Sequence, residues 1–78
     1  MIACIPAKLV HDHLRSLGFV LEPDDPMDRH QYWSRRDGVI VQMNRPNIFG
    51  EIPVELAESA LDAAGVPVPD WPRDKWCD

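Results

Sequence analysis

The feature that most constrains the fold is the dipeptide Asp37-Gly38, which separates two β-prone runs. Aromatic or β-branched residues recur in residues 30–36 and 39–43, and Asp-Gly between such runs is a strong signal for a two-residue hairpin turn. This turn predicts that Ser34 pairs with Val41 and that His30 pairs with Arg45. Because side chains alternate along a strand, the same pairing predicts two faces. The predicted core face holds Tyr32, Val39, Val41 and Met43, and the outward face holds Gln31, Trp33, Arg35, Ile40 and Gln42.

Two amphipathic helices are predicted on either side of this hairpin. Residues 7–17 carry apolar side chains at helical spacing and end at Gly18, and residues 53–64 begin with Pro53 and end at Gly65. A short strand at residues 19–21 and a loop at residues 22–28 join the first helix to the hairpin. The sequence therefore predicts an α+β fold of order α-β-β-β-α. The apolar face of the second helix is predicted to be Leu56, Ala57, Ala60, Leu61 and Ala64.

The length of 78 residues predicts one domain, which we place at residues 1–66. Residues 67–78 are predicted to form a proline-containing tail with Trp71 and Trp76 anchored on the domain or on a partner. No apolar run reaches the ~18 residues of a membrane span, and the N-terminus does not resemble a signal peptide, so a cytoplasmic protein is expected. Cys4 and Cys77 are interpreted as reduced thiols, with a bridge between the chain ends as the alternative.

The charge of the chain is unevenly distributed. The formal net charge is −5, yet residues 29–45 contain four arginines and one aspartate. A basic segment on an acidic body favours local contacts with phosphate, although the whole molecule repels long nucleic acids. Ordinary solvated charge is the alternative interpretation.

His30 is the strongest candidate for chemistry. It follows Arg29 and is predicted to face Arg45, and a histidine beside arginines suits the cleavage of a phosphodiester. A histidine with only a structural hydrogen bond is the competing interpretation. His11 and His13 lie two positions apart on a helix and therefore on different faces, so neither a metal site nor a cofactor is predicted.

Three stretches of the chain resemble the HicA-like (YcfA-like) toxin family of mRNA interferases. Residues 14–21, with Leu14, Gly18 and Phe19, are similar to the first helix and strand of that family. Residues 30–38, from His30 to the Asp-Gly turn, are similar to its histidine-containing strand. Residues 51–66, with Glu51-Ile52-Pro53 and Ala64-Gly65-Val66, are similar to its second helix.

This resemblance implies a fold like that of double-stranded-RNA-binding domains, with two helices on one face of a three-stranded antiparallel sheet. It also implies metal-independent cleavage of mRNA by His30, and neutralisation by a HicB-like antitoxin. Under this hypothesis the RNA-binding residues are Arg29, Trp33, Arg35, Arg36 and Arg45.

Two other hypotheses use the same fold without catalysis. In the first, the acidic body and the tryptophans of the tail form a protein-binding module, as in a degenerate toxin or a small phage or mobile-element protein. In the second, the protein is a homodimer that buries the sheet face carrying Trp33. An exposed tryptophan beside arginine is typical of both RNA-binding and protein-binding surfaces.

Overall fold

The computed structural model describes residues 2–77 and contains two helices and five short strands. The elements in chain order are β1 (Cys4–Pro6), α1 (Ala7–Ser16), β2 (Val20–Leu21), β3 (His30–Ser34), β4 (Ile40–Asn44), β5 (Glu51–Pro53) and α2 (Val54–Ala63). β2, β3 and β4 form an antiparallel sheet in that order. The predicted α+β class, with two helices and a three-stranded antiparallel sheet, is confirmed.

A second, two-stranded ribbon was not predicted. β1 and β5 pair antiparallel, with Ile5 opposite Ile52, and both of these side chains are buried. Each strand has three residues and runs directly into a helix, so neither shows the alternation that identifies longer strands. Because the two strands run in opposite directions, Pro6 lies opposite Glu51 and Pro53 lies opposite Cys4, so α1 and α2 begin at opposite ends of the ribbon.

The predicted register of the hairpin is wrong by one residue. Trp33 lies opposite Val41, and His30 lies opposite Asn44 rather than Arg45. The loop has three residues, because the amide of Arg35 donates to the carbonyl of Val39 and Gly38 has a φ of 88°. A three-residue loop with a left-handed glycine is the next most common hairpin connection. A shift of one residue in pairing moves the side chains of β3 to the opposite face.

Trp33, rather than Tyr32, therefore belongs to the core. Trp33 is 1% exposed and packs in one cluster with Val41 and Met43, whereas Tyr32 is 37% exposed. An indole buries more apolar surface than a phenol, so this register buries the larger apolar side chain, although the Trp33 Nε1–H has no hydrogen-bond partner among the described residues. Within α2, Ala57 and Leu61 are buried as predicted, but Leu56 is largely exposed.

The C-terminal segment, defined as residues 66–77, packs back on the domain. Trp71 is buried, and its ring meets the His13 ring edge-on at 5.8 Å. The amide of Cys77 donates to the carbonyl of Ile2, and Cys4 and Cys77 form a disulfide with Cα atoms 5.1 Å apart. The interpretation of two reduced thiols is therefore wrong for this structure. The pairing across 73 residues has no signature in the sequence, because it depends on the tail returning to β1.

Candidate functional site

The face of the sheet opposite the core carries a polar cluster around His30. His30 and Tyr32 lie on this face of β3, opposite Asn44 and Gln42 of β4. The side chain of His30 is 34% exposed, so it is accessible from solvent while its position is restricted by neighbours. The register error therefore changes which residues surround His30, but it leaves His30 at the surface.

Asp28 organises this cluster. Its Oδ1 accepts a hydrogen bond of 3.0 Å from the backbone amide of His30 and lies 3.9 Å from the His30 Nδ1 atom. The His30 amide, followed by the side chain of Tyr32, lowers the pKa of Asp28. Desolvation, and then the nearby charge of Asp28, raises the pKa of Tyr32. Asp28 was not predicted as a site residue, although an aspartate two positions before a strand residue is a known turn signal that could have identified it.

Arg45 does not lie beside His30 as predicted. Its guanidinium forms a bidentate ion pair with the carboxylate of Asp24, with nitrogen–oxygen distances of 3.0 and 2.6 Å. It also donates to the backbone carbonyls of Asp25 and Asp28 at 2.7 and 2.9 Å. The hydrogen bond from Arg45 holds the pKa of Asp24 below its ordinary value. Arg45 therefore anchors the acidic loop, defined as residues 22–28, and its charge is largely neutralised there.

Arg35 is also occupied by an intramolecular partner. Its Nε and Nη2 atoms donate to the carboxylate of Asp37 in the hairpin turn, and its Nη1 donates to the carbonyl of Leu17 at 3.3 Å. The guanidinium carbon lies 4.7 Å from the centre of the Phe19 ring. Arg35 thus ties the turn to the end of α1, and its predicted contact with phosphate would have to compete with Asp37.

Arg29 and Arg36 are exposed, and neither has an ion-pair partner within residues 2–77. They flank the two ends of β3, which places them roughly 20 Å apart along the strand direction. Arg29 immediately precedes His30, whereas Arg36 lies in the turn. Of the predicted RNA-binding arginines, these two retain unpaired charge.

Trp33 cannot form the predicted base contact in this structure. Its ring centre lies 5.0 Å from that of His11, and the guanidinium carbon of Arg15 lies 5.5 Å from it, so α1 covers the indole. Burial, and then the charge of Arg15, lowers the pKa of His11 and favours its neutral form beside Trp33. Trp33 is a core residue, and the proposed stacking role for it was wrong because of the register error.

Residues 2–77 contain no group of three or more histidine, cysteine, aspartate or glutamate side chains arranged to hold a metal ion. None of the described helices has the length and apolar character needed to cross a membrane.

Comparison with known proteins adds no assignment: no family model matches the chain, and no curated protein matches it.

Proposed function

We propose that the chain is a HicA-like endoribonuclease in which His30 cleaves RNA without a metal. The order α1, β2, β3, β4, α2 agrees with the order of elements in double-stranded-RNA-binding domains, and we extend the proposal to that arrangement. The observation that carries the proposal is the position of His30, partly exposed on the open face of the sheet and held beside Asp28. A histidine with a neighbouring carboxylate is the most common arrangement for a general base.

The proposed reaction is attack by a ribose 2′-hydroxyl on the adjacent phosphorus. The imidazole of His30 accepts the hydroxyl proton, the 2′-oxygen bonds to phosphorus, and the bond from phosphorus to the 5′-oxygen breaks. The products are a 2′,3′-cyclic phosphate and a 5′-hydroxyl whose proton comes from solvent. Asp28 would stabilise the imidazolium by charge, since 3.9 Å is too long for a hydrogen bond. Arg29, which precedes His30 and has no ion-pair partner among residues 2–77, is the arginine proposed to stabilise charge on the phosphate.

The test is induced expression in a bacterial host, with growth and total mRNA integrity as readouts. Wild type should arrest growth and deplete mRNA, and His30→Ala should abolish both effects. Gln42→Ala is the matched control, because it alters the same open face without touching the proposed base. Cleavage by the purified protein should persist in the presence of a chelator. Equal toxicity of wild type and His30→Ala would contradict the proposal.

A second candidate function is a non-catalytic protein-binding module on the same fold. Its support is the internal neutralisation of Arg35 by Asp37 and of Arg45 by Asp24 in a chain of net charge −5. With these arginines occupied, much of the expected phosphate-binding surface is lost, and an acidic surface remains for a basic protein partner. The protein partners expected from the sequence are a HicB-like antitoxin and a second copy of the chain.

Salt dependence separates the two candidates. Binding of a labelled single-stranded RNA should strengthen steeply as salt falls if the open face contacts phosphates. The ribonuclease proposal requires this binding, and it requires Arg29→Gln to weaken it. Complete absence of RNA binding at about 20 mM salt, with folded protein, would favour the protein-binding module.

A further inference from the structure

An open groove runs between α2 and β4, the edge strand whose Gln42 and Asn44 also lie opposite Tyr32 and His30. It has a volume of about 350 Å³. Its walls are alternate residues of β4 and one stripe of α2 at helical spacing. These residues are Ile40, Gln42 and Asn44 on the strand, and Leu56, Ser59, Ala60, Ala63 and Ala64 on or just after the helix.

The strand side of the groove is a free sheet edge. β4 is the last strand of its sheet. The amide of Arg35 donates to the carbonyl of Val39, and the amide of Arg45 donates to the carbonyl of Arg29, so the odd-numbered residues of β4 form the hydrogen-bonded pairs with β3. Alternation in an antiparallel pair then directs the amides and carbonyls of residues 40, 42 and 44 away from β3. Within residues 2–77 these groups have no hydrogen-bond partner in the protein. The edge therefore offers three donors and three acceptors to an incoming strand.

The helix side of the groove allows close approach. Ala60, Ala63 and Ser59 have small side chains, so a peptide backbone can lie between α2 and β4. Ile40 is 60% exposed and Leu56 is 44% exposed, and both would gain apolar contacts if the groove were filled. β4 carries none of the lysine or proline residues that commonly protect an edge strand from pairing.

The charges at the rim indicate the chemistry of the occupant. α2 contains three acidic residues and no basic one, and Glu55 and Asp62 lie one turn before and one turn after Ser59, beside the groove lining and not in it. Neither has an ion-pair partner among the described residues. A second copy of the chain would bring another acidic helix against this rim, at a net charge of −5 per chain. A segment with lysine or arginine would complement it.

We infer that this groove binds an extended, basic segment of a partner protein, which adds a fourth strand to the edge of β4. The backbone of the segment would bond to residues 40, 42 and 44, its apolar side chains would contact Ile40 and Leu56, and its cationic side chains would face Glu55 and Asp62. Strand addition beside a helix is a common mode of peptide recognition. The inference deepens the protein-binding candidate above and rests on it, and it does not involve the side chain of His30, although Gln42 and Asn44 also border the open face.

The probe is an acetylated eight-residue peptide that alternates valine and lysine, titrated into the full chain and followed by amide NMR and hydrogen exchange. In the free protein, the amides of Val41 and Met43 should exchange slowly and those of Ile40, Gln42 and Asn44 quickly. The peptide should slow the exchange of these three amides by at least about tenfold and leave Val41 and Met43 little changed. A control peptide whose amides toward β4 are N-methylated should not slow the exchange of these three amides.

Three variants, two of them with matched controls, test the contact surfaces. Gln42→Pro removes one outward amide without removing a bond to β3, and it should weaken peptide binding about two- to tenfold. Ser59→Trp should fill the groove and abolish binding, whereas Leu9→Trp on the exposed side of α1 should not. Asp62→Lys should weaken binding in a salt-dependent way, and Glu22→Lys, an equal change of charge in the acidic loop, should not. Unchanged thermal unfolding establishes that each variant is folded.

Several outcomes would overturn the inference. A peptide-free dimer with residues 40, 42 and 44 already protected would make a second copy the occupant. Equal binding of a peptide that alternates valine and glutamate would remove the requirement for a basic partner. If millimolar peptide does not change the amide exchange of residues 40, 42 and 44, and the chain also fails to bind RNA, this inference is overturned and the protein-binding candidate remains. If the peptide does not bind and RNA cleavage depends on His30, both this inference and the protein-binding candidate are overturned.

Discussion

The acidic loop and the C-terminal segment are both irregular in the sequence, but the structure holds them by different forces. Residues 22–27 of the loop are exposed, and the loop is fixed by Arg45 and by carboxylate turns such as that of Asp28 to His30. The C-terminal segment is fixed by buried Val66 and Trp71 and by the disulfide from Cys77 to Cys4. Ionic anchors respond to pH and salt, whereas apolar and covalent anchors do not. The loop borders the His30 cluster, so the more adaptable region lies beside the candidate site.

The largest effect is expected from loss of the disulfide. The bridge joins residues 73 apart, and the chain-entropy model gives such a closure about 4 kcal/mol of stabilisation. Cys77→Ser, or reduction of the wild type, should lower the free energy of unfolding by roughly this amount in urea titrations. Wild type with oxidised cysteines is the control, and equal unfolding midpoints for oxidised and reduced protein would show that the bridge does not stabilise the C-terminal segment.

Trp71→Ala should have the next largest effect. Truncation of a buried tryptophan typically costs about 3–5 kcal/mol, and Trp71 also contacts the His13 ring. Trp76→Ala is the matched control, because Trp76 is 50% exposed and its loss should cost less than about 1 kcal/mol. If urea unfolding shows similar losses for the two variants, the apolar anchor does not reside in Trp71.

The sequence predicted the elements that local patterns determine, and it did not predict the contacts that depend on the tertiary path of the chain. Helical spacing around Val10 and Leu14 identified α1, and Pro53 and Gly65 bracketed α2, because local patterns determine those elements. The disulfide was only the alternative interpretation of Cys4 and Cys77, since its partners meet through the tertiary path of the tail. The ribbon of β1 and β5 was missed because its strands are too short to show a period.

The candidate site was predicted in part, and the errors have two physical origins: the length of the hairpin loop and the ion pairs that occupy the arginines. His30 was identified by residue type and position, and it does lie on the sheet surface. Asp37-Gly38 is compatible with loops of two or three residues, and the choice between them determines which face Trp33 occupies. The pairing of Arg45 with Asp24 spans 21 residues and has no local signal. An ion pair between residues distant in sequence therefore occupies Arg45, whereas a local pair with Asp37 occupies Arg35.

Arg45→Gln should release the acidic loop and leave the C-terminal segment in place. The change removes the fork onto Asp24 and the bonds to the carbonyls of Asp25 and Asp28. Amide exchange at Asp28 and His30 should accelerate severalfold, while exchange at Cys77 should not change. Arg45→Lys should give a similar acceleration, because an ammonium cannot reproduce the planar fork. Unaltered exchange in the loop would mean that Arg45 does not hold it.

Acidification should have the smallest and most local effect. It should loosen the acidic loop and leave the C-terminal segment unchanged. The pKa values of Asp24 and Asp28 are held below their ordinary values in the folded chain, chiefly by Arg45 and by the His30 amide. Their contribution to stability is therefore complete above the unfolded pKa of about 4 and is lost as pH falls through the lower folded values.

Below about pH 4 the amide resonance of His30 should shift while the Trp71 indole resonance does not, since neither Trp71 nor the disulfide titrates there. Asp28→Asn is the control, because its amide oxygen can still accept the bond but carries no titratable charge, so the His30 resonance should lose most of its pH dependence. Simultaneous shifts at Trp71 and His30 would show that both segments respond as one unit and that the division into ionic and apolar anchors is wrong.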